Sequence, residues 1–234
     1  MNHILSPEIS IAVIAKNEED NIGKVLSDIL TVIEQGKIES CEEFLIDGCS
    51  EDNTVGIAKK FGINIFKVEG AKGVSIKKAL EVAGGKYILF IDADNSHVPE
   101  DIPRLLRAIK ENDCDLVIVS RILGKSEELG MKSLDSFLRL LGNRMSTFMV
   151  NLRWGVKLTD IQNGFRIIKR SAALELNLEE CGFAIEQEMV MKCLKKNKKI
   201  LEIPGVERKR LFGSSKICKR KEFWKYLWAL LKNF

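Results

Sequence analysis

The chain has 234 residues, 45% of them apolar and 30% charged, with a net charge of +4. That length suits one large domain or two small ones, and the apolar share is that of a globular protein. The charge is local: Glu207–Phe234 holds nine Lys/Arg and two Glu, a net +7, while the remaining 28 basic and 31 acidic residues leave −3. A general nucleic-acid binder needs a wider basic face, so the tail points instead to phosphate or an anionic membrane surface. The start "MNHILSPEIS" lacks the basic stretch and long apolar core of a signal peptide. No run approaches the ~20 apolar residues of a membrane span. Six scattered cysteines with no C-x-x-C pair, and only two histidines, suit core or loop thiols in a reducing compartment rather than a zinc site.

"ISIAVIA" at 9–15 predicts a first strand. Ile22, Val25, Leu26, Ile29, Leu30 and Ile33 then follow helical spacing, with Gly36 as the stop. "EFLID" at 43–47 is a second strand, and Ser50 is placed to cap a helix running to Phe61. "INIFKV" is a third strand, "VSIKKALEVAGG" a helix, and "YILFID" a fourth strand. Pro99 opens a helix to about Asn112, and "DLVIVS" at 115–120 is a fifth strand. A long helix follows from about Ser133 to Leu152. "NGFRIIKR" then reads as a strand, "IEQEMVMKCLKKN" as a helix and "KILEIPGVERKR" as one or two strands. The alternation predicts an α/β fold, a Rossmann-like, mostly parallel sheet with helices on both faces, continuous because no linker divides it.

Ligands of such sheets bind beyond the strand C-termini. Asp47 and the pair Asp92/Asp94 all fall there. Two carboxylates one residue apart at a strand end repel unless something neutralises them. A divalent cation with oxygen ligands, Mg²⁺ or Mn²⁺, would do so; a strand end turning into a solvated acidic loop is the plainer alternative.

Seven pieces recur together in order: "VIAKNEEDNI" (13–22), "IDGCSEDNT" (46–54), "FIDADNSHVPED" (90–101), "VSR" (119–121), "DIQNGFR" (160–166), "GFAIEQEM" (182–189) and "RLFGSSK" (210–216). This set resembles the inverting family 2 glycosyltransferases of GT-A fold, within them most of all the polyprenyl- and dolichyl-phosphate sugar synthases. The resemblance implies a nucleotide-sugar donor, Mg²⁺ or Mn²⁺, and a polyprenyl-phosphate acceptor. It implies Asp92 and Asp94 as the D-x-D carboxylates, with Asp94 the direct metal ligand and Ser96 where relatives often have Gln. Asn17, Glu18 and Asp47 would line the nucleoside pocket, with helix capping the alternative for Asn17 and Glu18. Lys72 would touch the diphosphate or sit in a plain surface turn.

By the same resemblance Arg121, Arg139 and Arg210 surround the donor and acceptor phosphates, where a planar guanidinium donates bidentate hydrogen bonds. Lys216 ends that basic segment. Asp160 is either a general base or an organiser of the acceptor loop, and Glu186 and Glu188 organise that loop. A phosphate acceptor is already anionic near neutral pH and needs no base, whereas a sugar hydroxyl does.

In the tail, Lys221, Lys225, Ala229 and Lys232 form a narrow polar stripe at helical spacing, with aromatic and aliphatic residues covering the rest. That composition predicts an interfacial membrane helix or, alternatively, a helix docked on the core. The expected division is a transferase domain at 1–217 and a basic aromatic helix at 218–234. The expected location is cytoplasmic, peripheral on the cytoplasmic membrane face. Two readings compete with lipid-phosphate transfer: transfer to a soluble hydroxyl with Asp160 as base, and a non-catalytic membrane-associated module.

Overall fold

The computed structural model describes residues 6–126, 134–210, 212 and 219–234. Lys216 lies outside them, as does the side chain of Arg139. In chain order the elements are β1 (Ile9–Ala15), α1 (Glu19–Val32), a π-helical turn (Ile33–Lys37), β2 (Cys41–Asp47), α2 (Thr54–Lys59), β3 (Asn64–Lys67), α3 (Lys72–Val82) and β4 (Tyr87–Asp92). A 3₁₀ turn (Pro99–Asp101), α4 (Ile102–Glu111), β5 (Leu116–Ser126), α5 (Leu134–Trp154), β6 (Arg166–Lys169), α6 (Arg170–Glu175), α7 (Ile185–Lys195), β7 (Ile200–Glu207) and α8 (Lys219–Lys232) follow.

One seven-stranded sheet runs β3-β2-β1-β4-β6-β5-β7. All its pairings are parallel except those of β6, which is antiparallel to β4 and β5. All seven residues of β1 are buried, as a central strand covered on both faces requires. Its alternate side chains serve two cores. Ala12 and Ile14 join Ile88 and Phe90 beneath α3, α5, α6, α7 and α8. Ile11 and Val13 join Leu89 and Ile91 beneath α1, α2 and α4.

Local chemistry sets several element ends. Gly36, at φ +66°, ends the first helical segment, because the left-handed region costs glycine little. The residue preceding α2 is Asn53, so the expected cap at Ser50 is corrected. The Ser50 hydroxyl donates to Asp47 instead, at 2.5 Å. "KILEIPGVERKR" is one strand, β7, whose register against β5 shifts between Ser120 and Lys125. The short α6 had no expectation, since six residues are too few to show a period.

Of the expected polar stripe on α8, Lys225 and Lys232 are exposed and the side chain of Lys221 lies outside the described residues, but the place of Ala229 is corrected. Ala229 and Leu230 are fully buried, and Leu230 belongs to the core that contains Val150 and Met189. Gln187 donates to the Tyr226 carbonyl at 3.0 Å, and Lys232 pairs with Glu179 at 2.8 Å. Alanine has no charge to keep at the surface, so a close helix contact claims it. No helix among the described residues is long and apolar enough to cross a membrane.

Candidate active site

In strand order, β2 and β3 lie to one side of β1, and β4 to the other. The chain therefore reverses its direction of travel between β1 and β4, and a crevice opens beyond their C-terminal ends. A cavity of about 510 Å³ occupies that place. Its wall includes Ala15 at the end of β1 and Lys16 after it, Glu18, Gly48 after β2, Glu69 after β3, Lys72 on α3, Asp92 at the end of β4 and Asp94 after it, Phe183 and Arg210.

β4 ends at Asp92, and the chain turns at once, with Asn95 at φ +60°. Both carboxylates still line the one cavity. Two side-chain cations meet them in this structure. Lys72 Nζ lies 2.8 Å from Asp92 Oδ2, and Arg210 lies 2.5 Å from Asp94 Oδ2. The other oxygen of Asp94 accepts from the Ser96 hydroxyl at 2.6 Å and its backbone N–H at 3.0 Å. The Arg208 N–H donates to the Ser96 carbonyl at 2.8 Å, which ties the end of β7 to the turn. His97 Nδ1 accepts from the Asp92 N–H at 3.2 Å while its ring stacks on Phe165.

Lys72 is held twice, since Glu186 at the start of α7 also lies 2.8 Å from it. Burial alone would pull this ammonium down, but Asp92 and Glu186 raise it above the ordinary lysine range. Burial alone would push Asp92 up; Lys72, then His97 and Arg210, bring it below the usual carboxylate range. The backbone at Gly164 closes over this trio. A Cβ on Gly164 would stand 2.6 Å from Lys72 Nζ and 3.0 Å from Asp92 Oδ2. Any side chain there would have to displace the Lys72 ammonium from its place.

Four expected residues are not on the cavity wall. Asp160 is fully buried and accepts from Arg121 Nε at 2.6 Å, Arg121 Nη2 at 2.9 Å and Asn143 Nδ2 at 2.9 Å. Burial would raise its carboxyl, but Arg121 holds it below the ordinary range. Arg121 also reaches Glu207 at 3.3 Å. Its guanidinium thus meets carboxylates rather than the cavity. Asp47 is fully buried too, and faces its own loop through Ser50. Asn17, at φ +52°, accepts from the Glu51 N–H and donates its own N–H to Ser50. Of the three nucleoside-pocket residues expected, Glu18 alone is on the cavity wall.

Glu188 accepts from the N–H groups of Glu179 and Glu180, in the segment before α7 rather than in the 160–164 loop. Arg166 went unnoticed in the sequence. It is fully buried, and its guanidinium donates to the carbonyls of Ile161, Asn163 and Glu186. It thereby fastens the 161–163 loop to α7. Lys16, Glu69 and Phe183 were missed as lining residues. The first two directly follow strand ends or lie within two residues of one, a position that could have marked them; nothing local marks Phe183.

The oxygen donors fit a hard divalent cation. Among the described residues there is no group of three or more His, Cys, Asp or Glu placed to hold a metal. Mg²⁺ and Mn²⁺ sites for phosphate substrates commonly use one or two carboxylates, with substrate phosphates and water supplying the rest. Asp92 and Asp94 supply that number.

Comparison with known proteins agrees with this geometry. The family model described as "Glycosyl transferase family 2" matches residues 10–176. A low-salt glycan biosynthesis hexosyltransferase of Haloferax volcanii is 26% identical over 230 residues, covering 98% of this chain and 54% of that protein. A dolichol-phosphate mannosyltransferase of Pyrococcus furiosus is 29% identical over 231 residues, covering 94% of this chain and 62% of that one. The chain thus spans little more than half the length of these relatives. Among solved structures, glucosyl-3-phosphoglycerate synthase from Mycobacterium tuberculosis in complex with phosphoglyceric acid superposes with a TM-score of 0.78 at 18% identity, covering 97% of this chain and 80% of that one. The same enzyme with Mn²⁺, uridine diphosphate and glucosyl-3-phosphoglycerate gives a TM-score of 0.73 at 17% identity, with the same coverage. These similarities establish the GT-A fold.

Proposed function

The chain belongs to glycosyl transferase family 2, and from that premise we propose that it moves a hexose from a nucleotide-sugar donor to a polyprenyl or dolichyl phosphate. The donor is of GDP-mannose or UDP-glucose type. The reaction inverts the anomeric carbon and uses Mg²⁺ or Mn²⁺. The observation that carries this reading is the β1/β4 crevice, where Asp92 and Asp94 share a wall with Lys72 and Arg210.

Asp92 and Asp94 would hold the cation, with Ser96 orienting Asp94. When bound, the cation supplies Lewis-acid stabilisation of the charge that grows on the departing diphosphate. Arg210 borders the same space and offers a guanidinium to phosphate oxygens. Lys72 holds Asp92 in place from behind. An oxygen of the acceptor phosphate forms the new bond to the anomeric carbon as the bond to the diphosphate breaks, so no proton has to be removed.

The position of Asp160 favours this acceptor over a hydroxyl. A hydroxyl needs a general base, and Asp160 is buried with its carboxylate bound to Arg121 and Asn143. A carboxylate whose pKa is depressed is a weak proton acceptor. Asp160 is better suited to fixing Arg121 and the acceptor loop. The same reading is supported by the Pyrococcus relative, a dolichol-phosphate mannosyltransferase, and by the Mn²⁺ and uridine diphosphate bound in a structural neighbour. The enzyme would then be peripheral, on the cytoplasmic face of a membrane, with no nucleic-acid partner.

The test is incubation of radiolabelled nucleotide sugar with polyprenyl phosphate, followed by organic extraction. Label in the organic phase is expected. Label on a water-soluble product would assign a soluble acceptor instead, and no transfer with any donor would leave a binding module.

A further inference from the structure

α5 has two opposite sides of different character. Its inner side carries Asn143, Thr147 and Val150, all buried, and Asn143 reaches the Asp160 carboxylate. On its outer side Leu141, Met145, Phe148 and Leu152 are spaced four, three and four residues apart. At 3.6 residues per turn these make one row. They are 51%, 40%, 65% and 75% exposed. α8 packs alongside, with the Phe234 ring 5.7 Å from Trp154, and it exposes Trp228 and Leu231. Single exposed apolar residues are ordinary, but a row of four with two more on the adjacent helix marks an interaction surface.

Along α5 itself the charge near the row is of one sign. From 136 to 159 there is no Asp or Glu, while Arg144, Arg153 and Lys157 are exposed. We propose that the outer face of α5, with Trp228 and Leu231 of α8, is the surface by which this protein lies on an anionic lipid bilayer. The apolar row enters the acyl boundary and the basic side chains meet lipid phosphates. Charge selects this occupant over a second copy of the chain. Two copies joined through the row would bring the basic side chains of α5 together, whereas an anionic surface complements them. The proposal rests on the lipid-phosphate acceptor reading and explains how such an acceptor is reached. The Asn143–Asp160–Arg121 chain lies on the inner side of the same helix, so docking holds the acceptor loop about one helix diameter, ~10 Å, from the headgroups.

The test is co-sedimentation of the full chain with phosphatidylglycerol/phosphatidylcholine vesicles and with phosphatidylcholine alone, at low and high salt. The wild type is compared with the double variant Phe148→Glu/Leu152→Glu. Both substitutions lie on the exposed row, so the melting temperature should be unchanged. The wild type is expected to sediment with anionic vesicles and to release in salt. The double variant is expected to partition on the order of a hundredfold less. It should still transfer to a short-chain, water-soluble polyprenyl phosphate and lose transfer to the long-chain acceptor held in vesicles. Unchanged sedimentation of the double variant, or none by the wild type, overturns the proposal. So does a wild-type dimer in ultracentrifugation that the double variant converts to monomer, which would assign the row to a second copy. A wild type that sediments but transfers to neither acceptor removes the acceptor reading and leaves the lipid surface standing.

Discussion

At the scale of single residues, the pair Asp92/Asp94 meets two cations drawn from distant parts of the chain. On the proposed function, a metal–diphosphate complex would have to take Asp94 from Arg210, while Lys72 keeps Asp92 in place. Asp94→Asn keeps the shape and removes the charge. Turnover should fall at least about a hundredfold with an unchanged melting temperature, and excess EDTA should silence the wild type; full turnover in EDTA would refute the metal assignment. Gly164→Ala tests the packing behind the pair, since its Cβ would press on Lys72 and Asp92. Displacing that trio should lower kcat/KM on the order of a hundredfold, while unaltered kinetics would mean that the trio tolerates movement. Asp160→Ala acts on stability instead. It leaves Arg121, itself nearly buried, without its main carboxylate partner, and breaking such a pair costs about 3–5 kcal/mol. The sign with pH follows from the depressed carboxyl. Its contribution is fully present above the unfolded value of about 3.9 and is lost as pH falls through the lower folded value. Denaturant titrations should show a loss below about pH 4 that Asp160→Asn flattens.

At the scale of elements, α8 shows how one composition serves two environments. Its inner side packs Leu230 and Ala229 against the core, and its outer side presents Trp228 and Leu231. Leu230→Ala should cost about 2–5 kcal/mol in chemical denaturation, as for any fully buried leucine. A cost near zero would mean that the helix is not docked in solution. α5 divides its labour in the same way, with polar Asn143 and Thr147 facing inward to hold Asp160. β6 matters through its direction. Running antiparallel between β4 and β5, it delivers the loop that ends at Gly164 to the C-terminal edge of β4.

At the scale of the whole molecule, the crevice draws its wall from strand ends, α3, the Phe183 loop and the segment after β7. A ligand that bridges these parts should stabilise the fold as a unit. Nucleoside diphosphate with Mn²⁺, at a hundred times its Kd, adds about 2.7 kcal/mol. For a chain of this size that is a rise of roughly 5–10 °C in Tm. The nucleotide without metal should give a smaller rise. Equal shifts in Mn²⁺ and in EDTA would separate nucleotide binding from the cation.

The alternation of strands and helices, the helices on both faces of the sheet and the placing of Asp47, Asp92 and Asp94 at the C-terminal sheet edge were legible in the sequence. Those features follow from periodicity, which each segment expresses by itself. Family membership was legible too, because seven short motifs in order carry it. Only the tertiary structure decided which charges meet. That Arg121 faces Asp160 and Glu207, that Lys72 bridges Asp92 and Glu186, and that Arg166 is sealed among carbonyls depends on residues far apart in the chain. The same limit applied to Ala229, taken for the polar side of a helix and found in its contact. A residue's own chemistry sets what it can bond to, but burial and neighbours set what it does bond to, and both belong to the folded chain.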